Sequence, residues 1–272
     1  MNIELICIDM DGTLLMDQQR VAQVDQEAIK YANDKGVHVA ITTGRVYNCA
    51  KLYAETIGLK TPIIASNGAF IGGTNGEQIY CNPLNLSDIK QFMELTQEEG
   101  LLSYLTANFG IISTLELPDT NIYKVLNQTL PDQQKIRLEV ISTLDELAPF
   151  DGEVLKGVCV GQNADQLSRI KAKLKESCPH LEVVSSWNNN FEVMRKGSSK
   201  GEAVKQLAEY LKVSPDQVMC IGDSENDLSM LKVAGIAVAM GNATPEVKEV
   251  ADYITADNKN GGVSQAIYEY IK

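Results

Sequence analysis

The chain has 272 residues, 44% hydrophobic and 22% charged, a composition that suits an ordinary globular protein with apolar mass for one large domain or two. Its formal net charge of −12 argues against nucleic acid or an anionic membrane as a standing partner, because both require clustered Lys and Arg to replace counterions. No apolar run approaches the roughly 18 residues that span a bilayer, and Met1 leads straight into an apolar strand without a basic, cleavable leader, so a soluble cytoplasmic protein is expected. Cys7, Cys49, Cys81, Cys159, Cys178 and Cys220 are scattered without a CxxC pair and read as small, reduced, mostly core residues.

Residues 3–8 form an apolar run that reads as a buried strand, and it ends on Asp9-Met10-Asp11-Gly12-Thr13-Leu14. Helical spacing over 24–33 is closed by Gly36, and 37–41 is a second strand leading into Thr42-Thr43-Gly44-Arg45. A helix over 47–57, closed by Gly58, precedes a third short strand at 63–65 that ends on Ser66-Asn67-Gly68. Repeated strand-helix units indicate a doubly wound parallel sheet. The rhythm then breaks at a Gly/Asn hairpin over 71–80.

From Pro83 the segments belong to a different architecture. A helix over 87–99 is expected, with Ser87 as its cap and Gly100 as its stop, followed by strands at 101–106 and 110–114. Next come a polar stretch over 117–131, helix or strand up to about 141, a strand at 154–160, a helix at 164–175 and strands at 182–186 and 191–194. This is an inserted α+β module of about 100 residues. Alternation resumes with helix 201–211, strand 218–221, helix 226–234, strand 236–239, helix 244–250 opened by Pro245, strand 253–255 and helix 262–270. The fold class is therefore α/β, a Rossmann-like doubly wound core built from both ends of the chain. Its expected limits are 1–82 and 191–272, with 83–190 inserted.

Four strand or helix ends carry reactive groups toward one crevice: Asp9 and Asp11, Thr43, Lys200, and the cluster Gly222-Asp223-Ser224-Glu225-Asn226-Asp227. The two acid clusters, about 200 residues apart, converge only if their strands are neighbours in one sheet. In isolation Thr43 also reads as a helix cap and Lys200 as a solvated lysine. Gly197-Ser198-Ser199-Lys200 is not a nucleotide loop, because Gly201 follows the lysine.

Taken in order, Asp9-Met10-Asp11-Gly12-Thr13, Thr43-Gly44-Arg45, Lys200-Gly201 and Gly222 through Asp227 resemble the four motifs of haloacid dehalogenase superfamily phosphatases of the Cof type. The resemblance extends to Ser66-Asn67-Gly68-Ala69 and to the turn Gly241-Asn242-Ala243, and it places a large cap between the second and third motifs. It implies that Asp9 is a nucleophile forming an aspartyl-phosphate, and that Asp11 is the acid that protonates the leaving alkoxide and the base that then activates water. It further implies a metal site of Asp9, the Asp11 backbone carbonyl and Asp223, and a phosphate site of Thr43, Gly44, Lys200 and Asn226. Asn67 would serve the substrate, and Asp227 would orient Lys200 or a metal-bound water.

A hard-oxygen site with no His or Cys suits Mg²⁺ better than zinc. The expected substrate is a small phosphorylated metabolite, sugar phosphates among them, with the cap selecting it and excluding water. A sugar phosphomutase and a non-enzymatic phosphometabolite sensor are the competing readings, and a monomer or weak homo-oligomer is expected. Arg45 either faces cap or substrate or forms a surface ion pair, Trp187 either lines the site or packs, and His38 reads as structural.

Overall fold

The computed structural model describes residues 2–17, 20–185 and 189–272. The chain opens with β1 (Leu5–Asp9), α1 (Gln23–Asp34), β2 (His38–Thr42), α2 (Tyr47–Thr56) and β3 (Ile63–Ala65), then the antiparallel pair β4 (Phe70–Gly72) and β5 (Gln78–Cys81). There follow α3 (Leu86–Glu98), β6 (Leu102–Ala107), β7 (Gly110–Ser113), α4 (Ile122–Asn127), β8 (Arg137–Val140), β9 (Val154–Val160), α5 (Ala164–Ser177), β10 (Leu181–Val184) and β11 (Asn190–Arg195). The chain closes with α6 (Lys200–Leu211), β12 (Val218–Gly222), α7 (Leu228–Leu231), β13 (Ile236–Ala239), α8 (Pro245–Glu249), β14 (Tyr253–Ile254) and α9 (Gly262–Tyr270).

The first compact unit is Met1–Cys81 with Gly197–Lys272. Its eight-stranded sheet has the order β14-β13-β12-β1-β2-β3-β4-β5, parallel from β14 to β3 and antiparallel at β4 and β5. β1 is central and every one of its residues is buried, which is why it reads as an unbroken apolar run rather than an alternating one. Chain order reverses between β1 and β12, and open α/β sheets place their ligands outside the carboxyl ends of the strands at such a reversal. The register pairs Ile8 with Ile221, so Asp9 and the residues after Gly222 leave the sheet side by side.

The second unit is Asn82–Lys196. Its six strands run β10-β11-β9-β6-β7-β8, and one apolar layer joins the sheet to α3 and α5 through Phe92, Ile170 and Leu174 against Leu105, Phe191 and Val193. Gly157 is required there, because a Cβ would lie 2.6 Å from the Phe92 ring. The second boundary falls between Lys196 and Gly197 rather than between 190 and 191, since β11 is zipped antiparallel to both β9 and β10. Lys156 and Glu192 form a buried ion pair at 2.6 Å within this unit. No helix among the described residues is long and apolar enough to cross a membrane, and all six cysteines are free thiols.

Three local expectations are corrected. Ser87 does not cap α3: the N-cap is Asn85, and the Asp151 carboxylate accepts the Leu86 N–H at 3.2 Å. The polar stretch 117–131 contains α4, started by the Asn121 side chain accepting from the Tyr123 amide. The helix expected over 226–234 is a 3-10 turn, Glu225–Asp227, followed by the short α7, because the Asp227 side chain folds back onto the Asp223 and Ser224 amides. The ambiguous segment before 141 is the edge strand β8, and the calls on Trp187 and on residues 186 and 188 lie outside the described residues.

One buried acid ties the two ends of the first unit. Asp25 of α1 is fully buried and accepts the Ser264 amide at 2.7 Å, serving as a remote cap for α9. Burial raises its pKa despite the Ser264 hydrogen bonds, so the folded state holds this proton more tightly than the unfolded chain. The corresponding stability is present below the ordinary aspartate pKa and is lost as pH rises through the raised native value. Asp25→Asn keeps the acceptor oxygen and removes the titration. In paired thermal melts at about pH 4 and about pH 8, the variant is expected to gain on the wild type at the higher pH, and a gap that does not change with pH contradicts this role.

Candidate active site

The site is built wholly within the first unit, at the carboxyl ends of β1, β2, β3 and β12 and the head of α6. Lys200 is its electrostatic centre. Ser199 caps α6 by accepting the Glu202 amide at 3.1 Å, and Gly201 packs against the Ser229 backbone so closely that a Cβ would lie 2.3 Å from its carbonyl. This fixes the start of the helix and buries the Lys200 side chain, which is 1% exposed. Its ammonium donates to Asp227 Oδ1 at 2.6 Å and to Asp9 Oδ1.

Burial alone favours a neutral amine, but Asp227 and Asp9 together hold Lys200 protonated, above the ordinary lysine value. Asp9 experiences the opposite balance. Desolvation and the neighbouring Asp227 and Asp223 raise its pKa well above the usual range, against the pull of Lys200. Burial and Asp227 push Asp223 up to about 7. Asp9, Asp223 and Asp227 each offer an oxygen within 4.8 Å of the others, and no described residue donates to the buried Asp9 Oδ2. Such a set could hold a hard divalent cation, whose charge would offset the burial and the mutual repulsion that raise these pKa values.

Asp227 is committed on both oxygens, one to Lys200 and the other to the Asp223 and Ser224 amides at 2.9 and 3.0 Å. The Thr13 hydroxyl donates to Asp223 Oδ1 at 3.0 Å. The Asp11 carboxylate turns away from this cluster to Arg45, whose Nε donates to Oδ2 at 2.8 Å and whose Nη2 donates to Oδ1. Arg45 is 4% exposed and its guanidinium lies 4.8 Å from the centre of the Tyr53 ring, while the Asp11 side chain is 27% exposed, so the ion pair is half-buried rather than a surface one.

Thr43 is buried and does not cap α2, whose N-cap is Val46; its hydroxyl accepts the Arg45 amide at 3.1 Å. The Thr43 and Arg45 carbonyls in turn accept the Asn67 and Ser66 amides, both at 3.0 Å, which locks the second-motif loop to the end of β3. Ser66 and Asn67 adopt φ of +49° and +54°, a left-handed conformation that costs a non-glycine residue energy and persists where the surroundings enforce it. Asn67 Oδ1 accepts Asn226 Nδ2 at 3.1 Å, so the structure brings these two amides together.

Asp9, Lys200, Asp223 and Asp227 thus form one connected group. Thr43 and Gly44 share the second-motif loop with Arg45, which holds Asp11, and Asn67 meets Asn226. The Arg45 pairing with Asp11 and the Thr13 hydroxyl on Asp223 are additions; sequence offered only the position of Arg45 directly after Thr43-Gly44. His38 is exposed on β2, and His180 contacts Asp88 at 2.7 Å within the second unit, so neither joins this group.

A doubly wound sheet whose switch point holds three converging carboxylates and a buried lysine defines a phosphoryl-transfer type of site. The family model for haloacid dehalogenase-like hydrolases matches residues 6–267, and the chain belongs to that family, in its Cof-type phosphatase branch. It is 32% identical to the 5-amino-6-(5-phospho-D-ribitylamino)uracil phosphatase YcsE of Bacillus subtilis, over 99% of this chain and 96% of that protein. It is 28% identical to the pyridoxal phosphate phosphatase YbhA of Escherichia coli, with both chains covered in full. Among solved structures, a haloacid dehalogenase-like hydrolase from B. subtilis superposes with a TM-score of 0.88 at 27% identity, covering 99% of this chain and 100% of that one. The chain is a phosphoric monoester hydrolase of this family.

Gly12 is a sensitive point of the site. Its φ is +85°, and a Cβ there would lie 2.4 Å from Asp223 Oδ2. Gly12→Ala is expected to lower phosphatase turnover by on the order of 100-fold by displacing that carboxylate. A variant with wild-type kcat would show that the contact is unimportant.

Proposed function

We propose that the protein is a Mg²⁺-dependent phosphatase acting on small phosphorylated metabolites, sugar phosphates among them, through an aspartyl-phosphate at Asp9. The observation that carries this reading is Asp9 itself: one oxygen is held by a buried ammonium and the other receives no hydrogen bond from a described residue, beside two more carboxylates. Asp9, Asp223 and the Asp11 backbone carbonyl would hold the ion, which when bound supplies positive charge to the phosphoryl oxygens and to the crowded carboxylates.

The residues of the chain divide the remaining work. Lys200 orients Asp9 and offsets charge on the phosphoryl group, while Asp227 keeps Lys200 charged and aligned. Thr43, the Gly44 amide and Asn226, with Asn67 behind it, bind the phosphoryl oxygens and fix the in-line approach. An Asp9 oxygen bonds to phosphorus as the ester P–O bond breaks, and Asp11 gives its proton to the departing alkoxide. Asp11 then takes a proton from water as that water attacks phosphorus, releasing inorganic phosphate and restoring Asp9. Release from Arg45 frees Asp11 for both transfers. The insert, whose sequence differs most in architecture from the core, selects the substrate.

The curated relatives support the substrate class, since the names of two of them specify the phosphate esters of a ribitylamino-uracil and of pyridoxal. The test is release of inorganic phosphate from p-nitrophenyl phosphate and a panel of sugar and cofactor phosphates, with Mg²⁺ or with EDTA. Wild-type turnover is expected to require Mg²⁺ and to fall by at least about 1000-fold in Asp9→Asn. A folded, Mg²⁺-loaded protein that releases phosphate from none of these esters contradicts the reading.

A further inference from the structure

The turn Gly241-Asn242-Ala243 takes no part in the reaction described above, yet it reaches the loop that carries Asp11. Asn242 Nδ2 donates to the Gly12 carbonyl at 2.8 Å, and its Oδ1 accepts the Asn258 amide at 3.0 Å. The Asn258 side chain continues the contact by donating to the Leu15 carbonyl at 2.7 Å. The turn that makes these contacts is itself anchored: the Gly241 amide donates to the Ala256 carbonyl at 3.0 Å, and Lys248 Nζ donates to the Gly241 carbonyl at 2.6 Å.

The Asp11 loop has other holds: Arg45 grips the Asp11 carboxylate through Nε and Nη2. The Leu14 and Leu15 amides return to the Asp9 and Met10 carbonyls at 3.1 and 2.9 Å, which closes the loop on itself, the Thr13 hydroxyl donates to the Asp223 carboxylate, and a Cβ on Gly12 would collide with that carboxylate. None of these contacts takes the Gly12 carbonyl, on the peptide that directly follows Asp11, which needs its own hold. The two asparagine amides supply that hold from a segment more than 200 positions away in the chain.

We propose that Asn242, supported by Asn258, is a positioning residue that clasps the loop at 12–15 and fixes the backbone of Asp11, so that its carboxylate, once released from Arg45, reaches the leaving group. This rests on the reading of Asp11 as the acid. Asn242 is exposed, so in its absence water can satisfy the Gly12 carbonyl and little folding stability is lost, whereas a small displacement of Asp11 is costly to the reaction.

The test compares two esters of similar shape whose leaving groups differ in their need for a proton, phenyl phosphate and p-nitrophenyl phosphate. Asn242→Ala is expected to lower the single-turnover rate of leaving-group release at saturating substrate about tenfold on phenyl phosphate and about threefold or less on p-nitrophenyl phosphate, with the melting temperature nearly unchanged. Asn242→Asp is expected to behave like Asn242→Ala, because a carboxylate cannot donate to the Gly12 carbonyl. Equal losses on the two esters, an effect confined to KM, or a loss of activity that simply follows a fall in melting temperature would overturn the proposal. Asp11→Asn is measured alongside: if it too loses equally on both esters, the role of Asp11 fails and the clasp with it. If Asp11→Asn discriminates between the esters and Asn242→Ala does not, the clasp alone is overturned.

Discussion

The interaction on which the rest depends is the buried ammonium of Lys200 between Asp9 and Asp227. Removing an ammonium from water is expensive, and only close anionic partners offset the cost. Those partners come from β1 and from the turn after β12, so a favourable site requires the first and last parts of the chain to share one sheet. The same network makes the carboxylates serve as more than counterions. Asp227 is consumed by Lys200 and two backbone amides, whereas Asp9 keeps an oxygen with no described donor. A buried ion network is weak evidence for stability, but it holds the Asp9 carboxylate in one orientation.

A second constraint is backbone strain beside this network. Two consecutive non-glycine residues, Ser66 and Asn67, are held in the left-handed region, with Gly68 following at φ +95°. Amides from this turn bond to Thr43 and Arg45, and Gly68 lies so close to Ser199 that a Cβ would sit 2.2 Å from its carbonyl. The strained turn therefore links the second-motif loop to the residue that caps the helix of Lys200. Three loops that are remote in sequence become a single rigid rim, which preorganises the site before substrate arrives.

Much of this arrangement was legible in the sequence because buried parallel strands read as unbroken apolar runs and their ends carry the chemistry. The runs ending at Asp9, Thr42 and Gly222 announce both the sheet and the crevice. What sequence could not supply was pairing across long separations. β11 belongs to the insert because of antiparallel partners at β9 and β10, not because of its own composition. Arg45 read equally as facing the cap or substrate or as part of a surface ion pair, and only its partner Asp11 shows where it goes. The helix after Asp223 shortened because a side chain, Asp227, competed with the backbone ladder, and helical periodicity carries no trace of that competition. The Lys156 and Glu192 pair is equally silent, since each charged residue alone reads as exposed.

The central claim is that Asp9, oriented by Lys200, carries the phosphoryl group covalently. It is tested most directly by mixing enzyme, Mg²⁺ and p-nitrophenyl phosphate, quenching in acid during turnover, reducing with borohydride and mapping the product by peptide mass spectrometry. An acyl phosphate at Asp9 is reduced to the alcohol, so the account expects homoserine at position 9 and an unmodified Asp11. Reduction at a different carboxylate, or at none while phosphate is still being released, would contradict it.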